Sequence, residues 1–463
     1  MLGNPGKVRL LAHTPDIQRL IGAASRLVTT QARGKDLWSK AQDHDSNERL
    51  VRKLVSMGHL SVIEHATVTL SFEDVSLLAE QFVIQFRLAS FTVKSRRYVD
   101  FSSSGYYIPA AVMRSGLGEQ FCRHADWLFD CYSRLQASGV PREDARFVLP
   151  YCLRSNFICT MNLRELCHLV SRALSVPWSE YDEIRAIGSS IRGYLLGIAP
   201  FLDGTDVFEP QSALLLDEHC AYSETAVSYD LQKAPECGEA GVELISYTPD
   251  PDAVVAAAVA AQLRSEGTAA PLIDELSTGE LVDLAADGRW ARNLEHAVFT
   301  FAVRGLSLAG LTHLTRHRMQ SLCIPDLGKT DLTARFVLPD SIRSSSASEA
   351  LYVEAASAAR RLQHQMSLAG IGSRDRVYLG LCGSLVDVIL SMNARELLHF
   401  IALRTCNRAQ WEIRSVARAI LSIVRTVAPY IFNGAGPNCV RSGRCPEGKL
   451  SCGRAAEMIE KYG

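Results

Sequence analysis

The sequence predicts an α+β fold laid down twice in tandem, two homologous domains that form a pseudo-dimer within one chain. Three observations carry that expectation. Motifs recur about 231 positions apart along the 463 residues. Each copy sets short, alternating, β-branched segments among dominant helical patterns, the mark of a mixed sheet with several long helices. The repeat far exceeds the roughly 20 to 50 residues of solenoid units, so whole domains are duplicated.

The repeat is read from paired strings. VRLLAHTPDI from Val8 answers VELISYTPDP from Val242, and Ile63-Glu64-His65-Ala66 answers Leu294-Glu295-His296-Ala297. Phe86-Arg87 answers His317-Arg318, and Met161-Asn162-Leu163-Arg164 answers Met392-Asn393-Ala394-Arg395.

Each copy opens with a short apolar strand and a Thr-Pro-Asp triplet, at Thr14 and Thr248, where threonine suits a helix cap and proline the first turn. A helix rich in alanine follows. Residues 67–72 and 298–303 alternate and read as strands, and helices then carry 77–87 and 308–318. Long helical patterns follow Pro109 and Pro339, with further helices at 162–173 and 181–196, and at 393–404 and 409–427. The expected division is a first domain at 1–212, a link at 213–240 without clear periodicity, and a second domain at 241–463.

Composition bounds the function. At 47% apolar content, each half of roughly 230 residues can bury a core of its own. With 49 basic and 50 acidic side chains, bulk charge favours neither a nucleic-acid polymer nor an anionic membrane. The first residues lack a long apolar core and 253–261 is too short to cross a bilayer, so the expected location is the cytoplasm. Thirteen scattered cysteines read mostly as buried thiols. Cys439, Cys445 and Cys452 lack a close pair and an evident fourth ligand, so no metal is expected there.

The chemistry begins at Arg316-His317-Arg318. Three consecutive polar residues at the end of an apolar helix are costly unless they meet water, an anion, a cofactor or an acidic partner. Taken alone, the triplet suits a solvated helix end.

Its company changes that reading. NARELLHFIALR from Asn393, AQWEIR from Ala409, EHAVFTF from Glu295 and GPNCVRSGRCPEGKLSCG from Gly436 together resemble the flavin-dependent thymidylate synthases across nearly the whole second half. The first half resembles the same family more distantly, through Gly58-His59-Leu60-Ser61 before Glu64-His65, through Ser95-Arg96-Arg97-Tyr98, and through Asp144 to Pro150. The family signature of Arg-His-Arg followed by serine is divided here. The first half has Gln85-Phe86-Arg87 with Ser95, and the second has Arg316-His317-Arg318 with Asp326.

The resemblance implies FAD-dependent C5 methylation of dUMP to dTMP, with methylenetetrahydrofolate as carbon donor and NADPH as reductant. It implies that Arg404 and Arg316 act in catalysis and that His313, Arg316, Ser95, Arg97, Arg146 and Arg404 hold the nucleotide. It assigns the flavin to His317, Arg318, Ser61, Glu64, Asn162, Arg164, Asn393, Arg395 and His399. An arginine fixed at the uracil ring would stabilise charge on N3 and the carbonyl oxygens, and a phosphate suits paired arginines with a hydroxyl.

Family members are homotetramers with sites shared between subunits. The losses here are complementary on that pattern: the first half has Ala173 where the second has Arg404, and the second has Asp326 where the first has Ser95. A composite site between the halves, in a homodimer mimicking the tetramer, is the expectation.

Other readings compete at single positions. Asn393 suits a helix cap, Arg164 and Arg395 suit pairing with Glu165, Glu396 or another acid, Glu64 and Glu295 suit partners of the adjacent histidines, and Trp411 suits the core. Departures at Val93, His313 and Arg292 leave open another pyrimidine nucleotide, a hydroxymethylated product, or a flavin- and nucleotide-binding paralogue without turnover.

Overall fold

The computed structural model describes residues 3–209 and 240–462, so the expected link lies, up to residue 239, outside the described residues. The chain divides into two compact units. Unit 1 comprises Met1–Ser228 with Ser341–Cys382, and unit 2 comprises Tyr229–Asp340 with Gly383–Gly463. Residues 341–382 of the second copy thus pack into the first unit.

Unit 1 is built on β1 (Lys7–His13), α1 (Ile17–Leu27), β2 (Thr67–Ser76), α2 (Leu77–Val83), β3 (Ala89–Val93), α3 (Gly118–Ala137), β4 (Arg154–Asn162), α4 (Leu163–Ala173) and α5 (Asp182–Ile198). Its sheet has the order β1-β2-β4-β3 and is antiparallel throughout. Unit 2 repeats the plan with β5 (Gly241–Tyr247), α6 (Pro251–Ser265), β6 (Val298–Ser307), α7 (Leu308–Thr315) and β7 (Gln320–Cys323). After α8 (Ser346–Leu368), which belongs to unit 1, come β8 (Leu385–Asn393), α9 (Ala394–Arg404) and α10 (Trp411–Val427). The second sheet is β5-β6-β8-β7, again antiparallel.

The repeat extends to register. Thr69 opposes Thr160 in one sheet and Thr300 opposes Ser391 in the other, each pair joined through its hydroxyls at 2.9 and 2.8 Å. Both long central strands break register three residues before their helix. There Asp74 and Gly305 adopt positive φ, and each donates its backbone N–H to a side-chain oxygen on the neighbouring strand, of Asn156 and Asp387 respectively.

The helix entries differ from the sequence expectation. Neither Thr14 nor Thr248 caps a helix. Their hydroxyls accept the N–H of Thr67 and Val298 and so close the ends of the strand pairs. The helices start later, after Asp16 and Asp250 in the left-handed conformation. The helices expected at 77–87 and 308–318 end at Val83 and Thr315, so Gln85-Phe86-Arg87 and Arg316-His317-Arg318 lie past the helix ends.

Inside unit 1, α8 lies along α3, with Gln120 donating to Gln365 at 2.5 Å and the Ser138 and Ser348 hydroxyls 3.2 Å apart. The segment then crosses 149–153 in antiparallel fashion, with N–H groups of Tyr151, Cys152 and Cys382 donating to Gly380, Tyr378 and Leu149. Glu183 is fully buried there, accepting from the Ser76 N–H and hydroxyl and from Tyr378. Burial pushes its carboxyl up to about 7 against those hydrogen bonds.

Candidate functional site

In unit 2, Ser307 caps α7 through its side chain and binds the buried Glu412, which ties the helix to α10. The apolar helix ends at Thr315, and the chain turns so that Arg316 and Arg318 are exposed while His317 points inward, 4% exposed. Nδ1 of His317 lies 3.1 Å from Glu396, and Arg404 donates its Nε–H to Nε2 of the same ring at 2.9 Å. Nε2 must therefore be the unprotonated nitrogen, with Nδ1–H donating to Glu396. Burial holds the His317 pKa below the ordinary histidine value, the Arg404 charge adds to this, and Glu396 opposes it. The ring packs edge-on against Phe400 at 4.9 Å and His399 at 6.1 Å. His313, one turn earlier on α7, is half-buried.

The matching place in unit 1 has lost this triad. Phe86 stands for His317 and packs edge-on against His168 at 5.3 Å. Glu165, the counterpart of Glu396, accepts instead from the Leu88 N–H at 3.3 Å and faces His168 at 3.7 Å. Ala173, in place of Arg404, is fully buried where α4 meets α5, and a Cβ on Gly188 would come within 2.6 Å of its own Cβ.

Unit 1 keeps the opposite half of the chemistry. After β3 the loop turns at Ser95, whose hydroxyl accepts the Arg97 N–H at 3.3 Å. Arg96 is buried in a two-pronged ion pair with Glu80, both contacts 2.9 Å, and the Ser155 hydroxyl donates to the same carboxylate. Burial acts to lower the Arg96 pKa, but Glu80 outweighs it and holds the guanidinium charged. Arg97 pairs with Glu143, and Arg146 is buried with its Nε donating to the Glu143 carbonyl at 3.0 Å. Burial, then the Arg96 charge, pushes Arg146 down to about 10, with Glu143 opposing and Arg97 adding to the fall. Cations gathered at this density make a receptive place for an anion.

The loop after β7 lacks these groups. Asp326 accepts the Gly328 N–H at 3.0 Å within its own turn, Leu327 is buried, and Val377 occupies the place of Arg146.

The residues expected at the flavin form a matched pair of arrangements. Asn162 and Asn393 cap α4 and α9, accepting the N–H of Glu165 and Glu396. Arg164 pairs with Glu64 at 2.6 Å and Arg395 with Glu295 at 2.5 Å, all at least partly exposed. These glutamates thus pair with arginines, not with the adjacent histidines. Ser61 and His399 are exposed. An arginine and a carboxylate beside a capped helix start fit the pyrophosphate and ribose of a dinucleotide such as FAD.

Sequence reasoning missed Glu396 as the histidine's partner, Glu80 and Ser155 beneath the serine–arginine loop, and Glu143 at Arg97. The expected core residue Trp411 opens α10 half-buried. Among the described residues no group of three or more His, Cys, Asp or Glu is placed to hold a metal, and no helix is long and apolar enough to cross a membrane.

Comparison with known proteins gives two matches to the family model described as thymidylate synthase complementing protein, Thy1, over residues 9–201 and 243–430. A flavin-dependent thymidylate synthase of Geobacter sulfurreducens is 36% identical over 225 residues, which is 47% of this chain and 95% of the relative. One from Clostridium tetani is 32% identical over 243 residues, 48% of this chain and 96% of the relative. Among solved structures, a UMP/dUMP methylase, PolB from Streptomyces cacaoi bound with 5-Br dUMP, matches 45% of this chain and 99% of its own, with 23% identity and a TM-score of 0.40. With both of its halves matched, the chain belongs to the thymidylate synthase complementing protein family and carries the family domain twice in tandem.

Proposed function

We propose that the protein catalyses reductive C5 methylation of dUMP to dTMP with FAD, taking its carbon from methylenetetrahydrofolate and its electrons from NADPH, and that it works as a homodimer. The curated relatives are flavin-dependent thymidylate synthases. The observation that carries the reading is the division of polar groups: unit 2 keeps His317, Glu396 and Arg404, unit 1 keeps Ser95, Arg97 and Arg146, and neither keeps both sets. Catalysis then needs residues from both units.

For uracil to attack through C5, negative charge building on N3 and its carbonyl oxygens must be stabilised. Arg404 supplies this, its guanidinium plane set by the bond from Nε to His317. His313 and Arg316, on the same helix end as His317, flank the ring. Ser95, Arg97 and Arg146 neutralise the phosphate. Arg164, Arg395, Glu64, Asn162, Asn393, Ser61, His317, Arg318 and His399 are the groups that hold the cofactor. When bound, FAD supplies the redox chemistry that turns the transferred methylene into a methyl while C5 loses its proton.

The test is mass-spectrometric detection of dTMP after incubating the flavin-loaded protein with dUMP, methylenetetrahydrofolate and NADPH. Product that vanishes in Arg404→Ala and, at dUMP below the wild-type KM, falls about tenfold in Ser95→Asp supports the reading. Undiminished product in Ser95→Asp under those conditions sinks the two-unit requirement. A different pyrimidine nucleotide is the second reading, favoured by Val93 at the end of β3, where relatives of this type carry a glutamate. UMP and dCMP in the same assay decide it, and product mass separates methyl from hydroxymethyl.

A further inference from the structure

Beneath the Ser95–Arg97 loop lies a buried polar cluster that the chemistry above does not use. Arg96 and Glu80 are 6% and 1% exposed, joined by two parallel contacts of 2.9 Å, and Ser155 on β4 donates a third bond to the Glu80 carboxylate. Arg96 sits between the two loop residues assigned to the phosphate, so its fork ties their backbone to α2 and β4 together.

The second copy supplies a natural control. Ala89 opposes Met161 and Gln320 opposes Met392, and the N–H groups of Tyr98 and Lys329 donate back to the carbonyls of Ser95 and Asp326, so the two loops correspond residue for residue. In that register Glu80, Arg96 and Ser155 correspond to Leu311, Leu327 and Val386, all three buried. The second copy has apolar side chains at all three positions of the cluster, and in the same copy Asp326 stands for the serine and Gly328 for the outer arginine.

Buried ion pairs are generally no more stabilising than well-packed apolar residues of similar volume. Unit 2 shows that this fold accommodates the apolar set. Stability therefore does not account for keeping three matched polar residues in unit 1, whereas the working state of the loop does. We propose that Glu80, Ser155 and Arg96 are positioning residues that hold Ser95 and Arg97 in the geometry that grips the phosphate of the nucleotide. This rests on the nucleotide reading of that loop.

The test uses the full-length, flavin-loaded protein and three variants. The first is the combined Glu80→Leu, Arg96→Leu and Ser155→Val exchange, which installs the second copy's own set. The second is Glu80→Gln, which keeps shape but weakens the fork, and the third is Arg97→Ala, which removes the phosphate contact itself. Kd for dUMP by calorimetry, KM and kcat are measured beside flavin content and thermal midpoint. The apolar set is expected to fold and keep its flavin, raise Kd and KM tenfold or more, and leave kcat within about twofold. Glu80→Gln is expected to raise Kd about threefold. A folded apolar-set variant with wild-type Kd, while Arg97→Ala is weakened, overturns the positioning role and leaves the nucleotide reading standing. Wild-type Kd in Arg97→Ala overturns that reading and the positioning role with it. If the apolar set fails to fold, an unchanged Kd in Glu80→Gln overturns the proposal.

Discussion

Arg404 donates its Nε–H to Nε2 of His317 across 87 positions of sequence, at 2.9 Å. The bond ties the last residue of α9 to the residue just past α7, and Glu396 completes it on the other ring nitrogen. His317→Phe, which installs the residue of the other copy, is expected to leave the fold intact and to cut dTMP formation on the order of 100-fold, as loss of a positioned electrostatic group does. Steady-state rates beside a circular-dichroism spectrum check it.

The same ring gives unit 2 an acid limit. Burial depresses the folded pKa of His317, so its stabilising contribution is present above the ordinary value of 6.5 and is lost as pH falls through the folded value. Protonation of Nε2 would also eject the Arg404 donor. Thermal melting from pH 7.5 to 5 should show a decline that His317→Phe flattens; an equal decline in the variant would refute the assignment.

Unit 1 should respond in the opposite sense. The Glu183 carboxyl is raised from 4.5 to about 7, so its contribution is full below 4.5 and is lost as pH rises through 7. The swing is roughly 3 kcal/mol over that window. Glu183→Gln is expected to remove the slope while keeping the Ser76 and Tyr378 contacts, as read from urea midpoints at pH 5 and pH 7.5.

Restoring an arginine to unit 1 is not a neutral change. Ala173 is fully buried against Gly188, so Ala173→Arg both overpacks the α4–α5 contact and buries an unpaired charge. A loss of at least about 3 kcal/mol is expected by denaturant titration. A variant as stable as the parent would show that this helix pair separates easily.

Ser95→Asp reproduces the second copy's acid beside Arg97. It should raise the KM for dUMP more than tenfold by repelling the phosphate, whereas Asp326→Ser should change KM less than twofold. Equal responses at the two positions would argue against the assignment of roles to the loops.

What was legible in the sequence follows the range of the interactions. Alternation exposed β2 and β6, and the Asn-x-Arg strings marked the starts of α4 and α9, because those signals lie within a few residues of each other. The repeat revealed which polar positions each copy had lost. Contacts spanning tens of residues left no such trace. Glu396 read as a possible mate for its neighbour Arg395, yet it turns to His317, 79 positions away, while Arg395 reaches Glu295, 100 positions away. Thr14 failed as a cap for the same reason, because the N–H of Thr67 claims its hydroxyl.

The segment at 341–382 binds the two copies' histories together. Its long helix completes the core of unit 1 although it is encoded after most of the second copy's sheet, so a ribosome making this chain finishes the earlier unit only once it has passed residue 382. Cutting the gene at the link would not return two self-sufficient proteins: the amino-terminal piece would lack α8 and the carboxy-terminal piece would carry it without its intended bed. Duplication has here become a debt of the first copy to the second, whose residues 341–382 it needs to be whole.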